Sequence, residues 1–310
     1  MKILKNKLLK KECKICVIGL GYVGLPVAVS FSKKYQVIGY DIDITRINDL
    51  KRSFDKNDSI KKNNLKYLKK IKFNEKIKDL KVVDIFIIAT PTPVLKNKKP
   101  DLQLVFKALD IFKEVDIKNK LIIVESTVYP EASENEFIPY LEKITKKKIN
   151  KDFFYGYSPE RINPGDKKNN FENIDKIVSG SNNNSLILMK KLYSSVIKKV
   201  HVASNIATAE MAKVIENIQR DINIAFVNEV SLISKKFKTE SHEVLNSVPL
   251  VPMVPAGVFT SKFAGLISLL FNNIPTQLII TSGFMPWTIS SNSAVLVTSQ
   301  IIVFEFNLFR

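Results

Sequence analysis

The sequence predicts an α/β fold, a doubly wound parallel sheet followed by one long connecting helix and an atypical C-terminal tail. Three observations predict it. Short apolar runs alternate with helical stretches through the first two thirds of the chain, the order that strands and covering helices impose. A glycine-rich turn joins the first apolar run to the first helical stretch. From Asn205 the alternation gives way to a single apolar stripe at steps of three and four.

Residues 1–13 read as a basic, poorly ordered lead-in. The stretch that organises the chain follows: the apolar run Lys14 to Ile18, then Gly19-Leu20-Gly21-Tyr22-Val23-Gly24, a helical stretch to Tyr35, and a second apolar run ending in Asp41. This is the order of a dinucleotide-binding βαβ unit, so the predicted sheet is Rossmann-like. Gly19 permits the tight turn, Gly21 lets a pyrophosphate approach the backbone, and Gly24 lets helix and strand pack closely. The helix that opens there points N–H groups and a positive dipole end at phosphate. Asp41 stands 22 residues after Gly19, matching the spacing of about 20 residues for a carboxylate on an adenosine ribose. A carboxylate there repels a 2′-phosphate, which favours NAD over NADP.

Helical spacing over Ile44 to Leu50 brings Arg46 within reach of the adenosine end of a cofactor. Asp49 to Ile71 is lysine- and asparagine-rich and reads as an exposed loop and helix. Val82 to Ala89 is a buried parallel strand broken only by Asp84, and it opens into Thr90-Pro91-Thr92-Pro93. A helix is expected over Leu102 to Phe112, then a strand over Leu121 to Glu125 opening into Ser126-Thr127-Val128-Tyr129-Pro130. Glu131 to Lys143 fits a helix with acids in its first turns. Phe153 to Tyr157 is a strand leading into Ser158-Pro159-Glu160-Arg161-Ile162-Asn163-Pro164-Gly165. Ile177-Val178 and Val200 to Val202 read as short strands around a helix near Ser185 to Val196. Ligands of open α/β sheets collect at the loops after the strands.

The stripe of the long helix is Met211, Ile215, Ile218, Ile222, Phe226, Val230 and Ile233. The pattern alone fits a bridge to a second domain and a plain core helix equally well. The expected divisions are 1–204 for the dinucleotide-binding domain, 205–247 for the long helix and 248–310 for the tail.

A chain of 310 residues has room for about two domains. Its net charge of +18 admits an anionic partner, but the lysines are dispersed, and a lysine-rich composition explains the charge as well. Neither nucleic acid nor a membrane is expected as partner. Cys13 and Cys16 are the only cysteines and lie at the first strand. That excludes a disulfide framework or a zinc site and suits a reducing cytoplasm; no metal is expected. The charged N-terminus shows no signal peptide, and no apolar run is long enough to span a bilayer.

Together these segments resemble the UDP-glucose/GDP-mannose dehydrogenase family. The resemblance is carried by the opening βαβ unit, Ala89 to Pro93, Val124 to Pro130, Gly156 to Asp166 and Glu210 to Glu229, and runs from about residue 12 to residue 247. The form Ser-Pro-Glu-Arg-Ile-Asn-Pro-Gly-Asp is most similar to the branch that oxidises UDP-N-acetylhexosamines to uronic acids for surface polysaccharides. The resemblance implies two hydride transfers to NAD, an aldehyde captured by a cysteine thiolate, and hydrolysis of the resulting thioester. It places Gly19, Gly21, Tyr22, Val23, Gly24, Asp41, Arg46, Thr92 and Thr127 at the cofactor, and Glu160, Arg161, Lys213 and Asn217 at the UDP-sugar. Glu160 is implied as the base acting through water, Thr127 as a holder of that water, and Lys213 with Asn217 as the pair facing a developing oxyanion. Taken alone, Glu160 fits a helix-capping acid and Lys213 a surface lysine. A homodimer is the family's expectation.

Two departures stand out. Glu131 occupies a position where the family usually has glycine. After Ser247 the resemblance stops: the family's Gly-Gly-His-Cys segment, which carries the nucleophile, is absent from this sequence. Residues 248–310 hold three charged residues in 63, against 25% overall. A change that abrupt suggests translation in a wrong frame, with a genuinely divergent small domain as the alternative. Catalysis is expected to be impaired, and the alternative is a non-catalytic NAD- or nucleotide-binding remnant.

Overall fold

A computed structural model describes residues 2–74, 76–97, 99–161, 171–248, 289–290, 293–295 and 305–307. They form two compact units, Met1–Asp221 and Ile222–Arg310. In the first, helix α1 (Lys2–Leu9) leads into strand β1 (Lys14–Ile18), and α2 (Gly24–Ser32) into β2 (Gln36–Tyr40). Then follow α3 (Ile44–Lys51), β3 (Ile71–Asn74), β4 (Ile85–Ile88), α4 (Gln103–Leu109), β5 (Leu121–Val124) and α5 (Ile138–Thr145). β6 (Phe154–Tyr157), β7 (Lys176–Gly180), α6 (Asn183–Ser194), β8 (Val200–Val202) and α7 (Ile206–Phe237) complete the order.

The eight strands form one sheet in the order β3-β2-β1-β4-β5-β6-β7-β8. From β3 to β6 all pairs are parallel, which is the doubly wound order of dinucleotide-binding sheets. The central strands are apolar throughout because both faces are covered. One core packs Ile15, Val17, Ile85 and Ile87 under α2 and α6, and the other packs Cys16, Phe86, Ile88 and Ile122 under α4 and α5. The parallel expectation fails at one edge: β7 runs antiparallel to β6. β7 therefore starts at the end where β6 finishes, and a loop connection suffices.

Two further readings are corrected. The N-terminus is a helix, not a loose lead-in: Leu4 and Leu8 are buried and the Lys7 ammonium meets Asp84 at 2.7 Å. The lysine-rich segment before β3 does hold the expected helix, of 3₁₀ form over Lys62–Lys70 and anchored by buried Leu68. The helix expected from Glu131 starts instead as a π turn, Ser133–Phe137, before α5.

The apolar stripe of α7 does not make it a core helix. Met211, Ile215, Ile222, Phe226 and Ile233 are exposed, whereas Ala209, Glu210 and Lys213 are buried. In the second unit α7 ends at Lys238, whose φ is +54°, and α8 (Ser241–Ser247) follows. Three short strands, β9 (Ile289–Ser290), β10 (Ser293–Val295) and β11 (Glu305–Asn307), pair antiparallel. At two or three residues each they are too short for an alternation to register in the sequence. Among the described residues no helix is long and apolar enough to cross a membrane.

Candidate cofactor and substrate site

The site residues of the first unit gather at the C-terminal ends of the parallel strands. Gly19 has φ +89° and donates its N–H to the Tyr40 carbonyl at 2.9 Å, which makes the turn between β1 and α2. A Cβ at Gly24 would stand 1.7 Å from the Gly19 carbonyl oxygen, so only glycine lets α2 start there. A Cβ at Gly21 would meet nothing within 4 Å. Open space beside that backbone is what an approaching pyrophosphate needs. α2 has no acid in its first turn and no side-chain N-cap, so its positive end is left to a ligand. Tyr22 is exposed beside it and Val23 packs against the core.

Asp41 does more than wait for a ribose. One carboxylate oxygen accepts the Leu20 N–H at 2.7 Å and the other the Asp43 N–H at 3.0 Å. Arg46 lies under the same loop: its Nε donates to the Leu20 carbonyl at 2.9 Å and its guanidinium pairs with Asp55 at 2.8 Å. The arginine is 8% exposed, so it braces the glycine loop from within the protein.

Two loops form the next wall. Thr92 donates its hydroxyl to the Thr127 carbonyl at 2.7 Å, and Ser126 donates to the Thr90 carbonyl at 2.6 Å. The loops after β4 and β5 are thereby tied across the sheet. The second ends at Glu131, whose φ of +69° explains the preference for glycine there.

Glu160 and Lys213 are each 7% exposed, and Asn217, one helical turn from Lys213, is half-buried. Burial lowers the Lys213 pKa, while Glu216 and Glu160 oppose that shift. The surface-lysine reading therefore does not describe Lys213; the segment a cap at Glu160 would serve lies outside the described residues. Arg161 is held by Glu216 of α7 at 2.9 Å and donates to the Asp175 carbonyl at 3.2 Å.

A buried ionic group beneath them was missed from sequence. The Lys176 ammonium meets Glu125 at 2.7 Å and Glu160 at 3.7 Å, and the Tyr193 hydroxyl donates to Glu125. Burial raises the Glu125 pKa, with Lys176 pulling against it. An acid closing the otherwise apolar run Leu121 to Val124 was the available signal; Lys176 in a lysine-rich chain gave none. Glu210 was likewise missed. It is fully buried on α7 and accepts the N–H groups of Glu131 and Ser133 at 2.6 and 3.0 Å. Neither cysteine belongs to this site: both are buried, and burial pushes the Cys13 thiol up to about 12 and Cys16 higher still.

Comparison with known proteins agrees with this geometry. Residues 13–197 match the NAD binding domain of the UDP-glucose/GDP-mannose dehydrogenase family, and residues 207–264 match its central domain. The second match runs past Ser247, where the sequence resemblance was placed to stop. Protein CapL of Staphylococcus aureus is 49% identical over 75% of this chain and 55% of its own length. A UDP-N-acetyl-D-glucosamine 6-dehydrogenase of Pseudomonas aeruginosa is 43% identical over 76% of this chain and 56% of its own. The structure of a UDP-D-ManNAc dehydrogenase from Pyrococcus horikoshii superposes with a TM-score of 0.69 at 32% identity, over 79% of this chain and 59% of that one. The chain thus spans little more than half the length of the curated relatives it matches. NAD is the cofactor that the open glycine loop, Asp41 and the uncapped start of α2 fit. On these matches and this architecture, the chain belongs to the UDP-glucose/GDP-mannose dehydrogenase family.

Proposed function

We propose that this chain is by descent an NAD-dependent 6-dehydrogenase of a UDP-N-acetylhexosamine, serving surface polysaccharide synthesis in the cytoplasm, with its reaction impaired beyond the aldehyde. The observation that carries this reading is the burial of Glu160 and Lys213 in one electrostatic neighbourhood at the sheet's C-terminal end. Bound NAD supplies the hydride acceptor. The chain's own residues do the rest: the glycine loop and Asp41 hold the dinucleotide, with Arg46 bracing them, and Thr92 and Thr127 shape the wall beside it. Arg161 contributes a cation toward the sugar nucleotide. Lys213 and Asn217, at i and i+4, face the sugar oxygen as a pair that donates to its developing negative charge, and burial lowers the lysine's pKa. Glu160 is the base for the later hydrolysis, a step that requires a thioester.

No cysteine follows Cys16 in the sequence, and both thiols are buried and protonated. Within residues 1–310, covalent capture of the aldehyde therefore has no nucleophile. The proposed organisation is 1–204 for cofactor, 205–247 for the long helix and 248–310 as a divergent tail, with a homodimer along the family's pattern and no nucleic acid as partner.

The test titrates NAD calorimetrically, then adds UDP-N-acetylglucosamine or its galacto isomer and follows NADH at 340 nm with mass analysis of the sugar. Binding of NAD with NADH formed, up to one per sugar, and no uronic acid is expected. Two NADH per sugar with uronic acid formed overturns the impairment. A second reading, a non-catalytic NAD-binding remnant, is favoured by the missing thiolate; NAD binding with no NADH at all selects it.

A further inference from the structure

Glu210 has no role in the reading above, yet its setting is unusual. It sits in the second turn of α7 with no exposed surface, and burial raises its pKa. An acid so placed is retained only where its hydrogen bonds are needed. Its two oxygens divide between two backbone N–H groups, Glu131 at 2.6 Å and Ser133 at 3.0 Å. Tyr155, itself fully buried, donates its hydroxyl to Ser133 Oγ at 2.9 Å and so steadies the same turn from the sheet side.

The clamped segment is also where the backbone departs most from regularity. Glu131 holds a left-handed conformation at φ +69°, and the helix that follows opens as a π turn over Ser133–Phe137. Both features cost a non-glycine chain and need an external hold. Four residues upstream lies Thr127, whose carbonyl is fixed from the other side by Thr92. On α7, Lys213 and Asn217 follow Glu210 at i+3 and i+7, along one helix face.

We propose that Glu210 is a positioning residue, clamping the start of α7 to the turn that closes the Thr127 loop. The clamp fixes the register of Lys213 and Asn217 against the wall of the cofactor site. A slip of α7 by one residue would move both side chains about 1.5 Å along the axis and 100° around it. This proposal rests on the reading that Thr127 lines the NAD site.

The test uses the full chain with Glu210→Gln, Thr127→Ala, the double variant, and Glu210→Gln combined with Glu131→Gly. The glutamine keeps one acceptor but turns an NH₂ group toward a backbone donor. NAD affinity is measured well below each melting temperature, and amide exchange is followed over residues 128–137. Glu210→Gln is expected to weaken NAD binding about ten-fold, the scale of one lost charge-assisted hydrogen bond. It should accelerate exchange at Glu131 and Ser133 while β1, β4 and β5 stay protected. Adding Thr127→Ala should weaken binding little further, because both changes act on one loop. Glu131→Gly, which adopts the positive φ unaided, should recover part of the affinity.

A lower melting temperature with unchanged NAD affinity overturns the proposal, as does full additivity with Thr127→Ala. If the unaltered chain does not bind NAD, the cofactor reading has failed instead. Exchange at Glu131 and Ser133 still judges the clamp in that case, and unchanged exchange overturns it.

Discussion

At the scale of single residues, the glycine loop gives the sharpest contrast. Gly21 and Gly24 look alike in the sequence, but a Cβ meets open space at the first and the Gly19 carbonyl at the second. Gly21→Ala is expected to leave thermal stability unchanged and to weaken NAD binding, since only the ligand needs that space. Gly24→Ala should lose both, with about 1–3 kcal/mol of stability gone through backbone overpacking. Equal melting curves for the two variants would contradict this assignment. The cysteines give a second prediction. Both are buried, and the Cys13 thiol is pushed up to about 12 by burial and the nearby Asp84. Ellman's reagent at neutral pH should label neither cysteine in the native chain and both in denaturant. A fast native thiol would supply the nucleophile that the proposed impairment denies. These glycines and Asp41 were legible because their work is local: turn, approach and spacing all lie within one βαβ unit. Glu210 was not, because its partners lie nearly eighty residues upstream and nothing in an acid's immediate neighbours announces burial.

At the scale of elements, the sheet was readable wherever a strand was apolar on both faces and framed by turn residues. β1, β2, β4, β5 and β6 met that condition. β3 did not, since an edge strand reading Ile-Lys-Phe-Asn inside a lysine-rich segment looks like surface. α1 was hidden in the same way: its Leu4 and Leu8 pair at i and i+4, but Lys2, Lys5 and Lys7 are interspersed among them. The direction of β7 could not be read, because strand orientation depends on where the connection returns and not on composition. The brace beneath the glycine loop belongs to this scale and has a pH signature. Burial alone raises the Asp55 carboxyl, but its bonds to Ser59 and Arg46 overcome that and hold its pKa below the ordinary 3.8. A group depressed in the folded state contributes stability above its unfolded pKa and loses it as pH falls through the folded one. Glu125 and Glu210, raised by burial, act with the opposite sign, adding stability as pH falls toward their unfolded value. Asp55→Asn isolates the first contribution. It should cost about 3 kcal/mol at neutral pH by leaving Arg46 buried and uncompensated. The deficit should shrink between pH 4 and pH 2 in acid unfolding followed by circular dichroism. A deficit constant with pH would mean that the carboxylate charge is not what braces the loop.

At the scale of the whole molecule, the chain joins a well-formed cofactor unit to a second segment of different character. The last 63 residues hold three charged residues, against 25% of the chain overall. Ile222, Phe226 and Ile233 of α7 are exposed among the described residues. The family's central-domain match reaches residue 264, so the break in composition after Ser247 and the end of family likeness do not coincide. We propose that a reading frame is lost in this region, one event for both the charge depletion and the missing thiolate. A replacement domain would need two separate explanations. Translating the coding DNA from about codon 240 in all three frames is therefore expected to reveal Gly-Gly-His-Cys and a charged, periodic continuation in another frame. Expressing that restored chain should yield two NADH and one uronic acid per UDP-sugar, where the present chain yields at most one NADH. If no frame encodes the segment, residues 248–310 are a domain in their own right, and the chain should be assayed as an NAD-binding protein without the second oxidation.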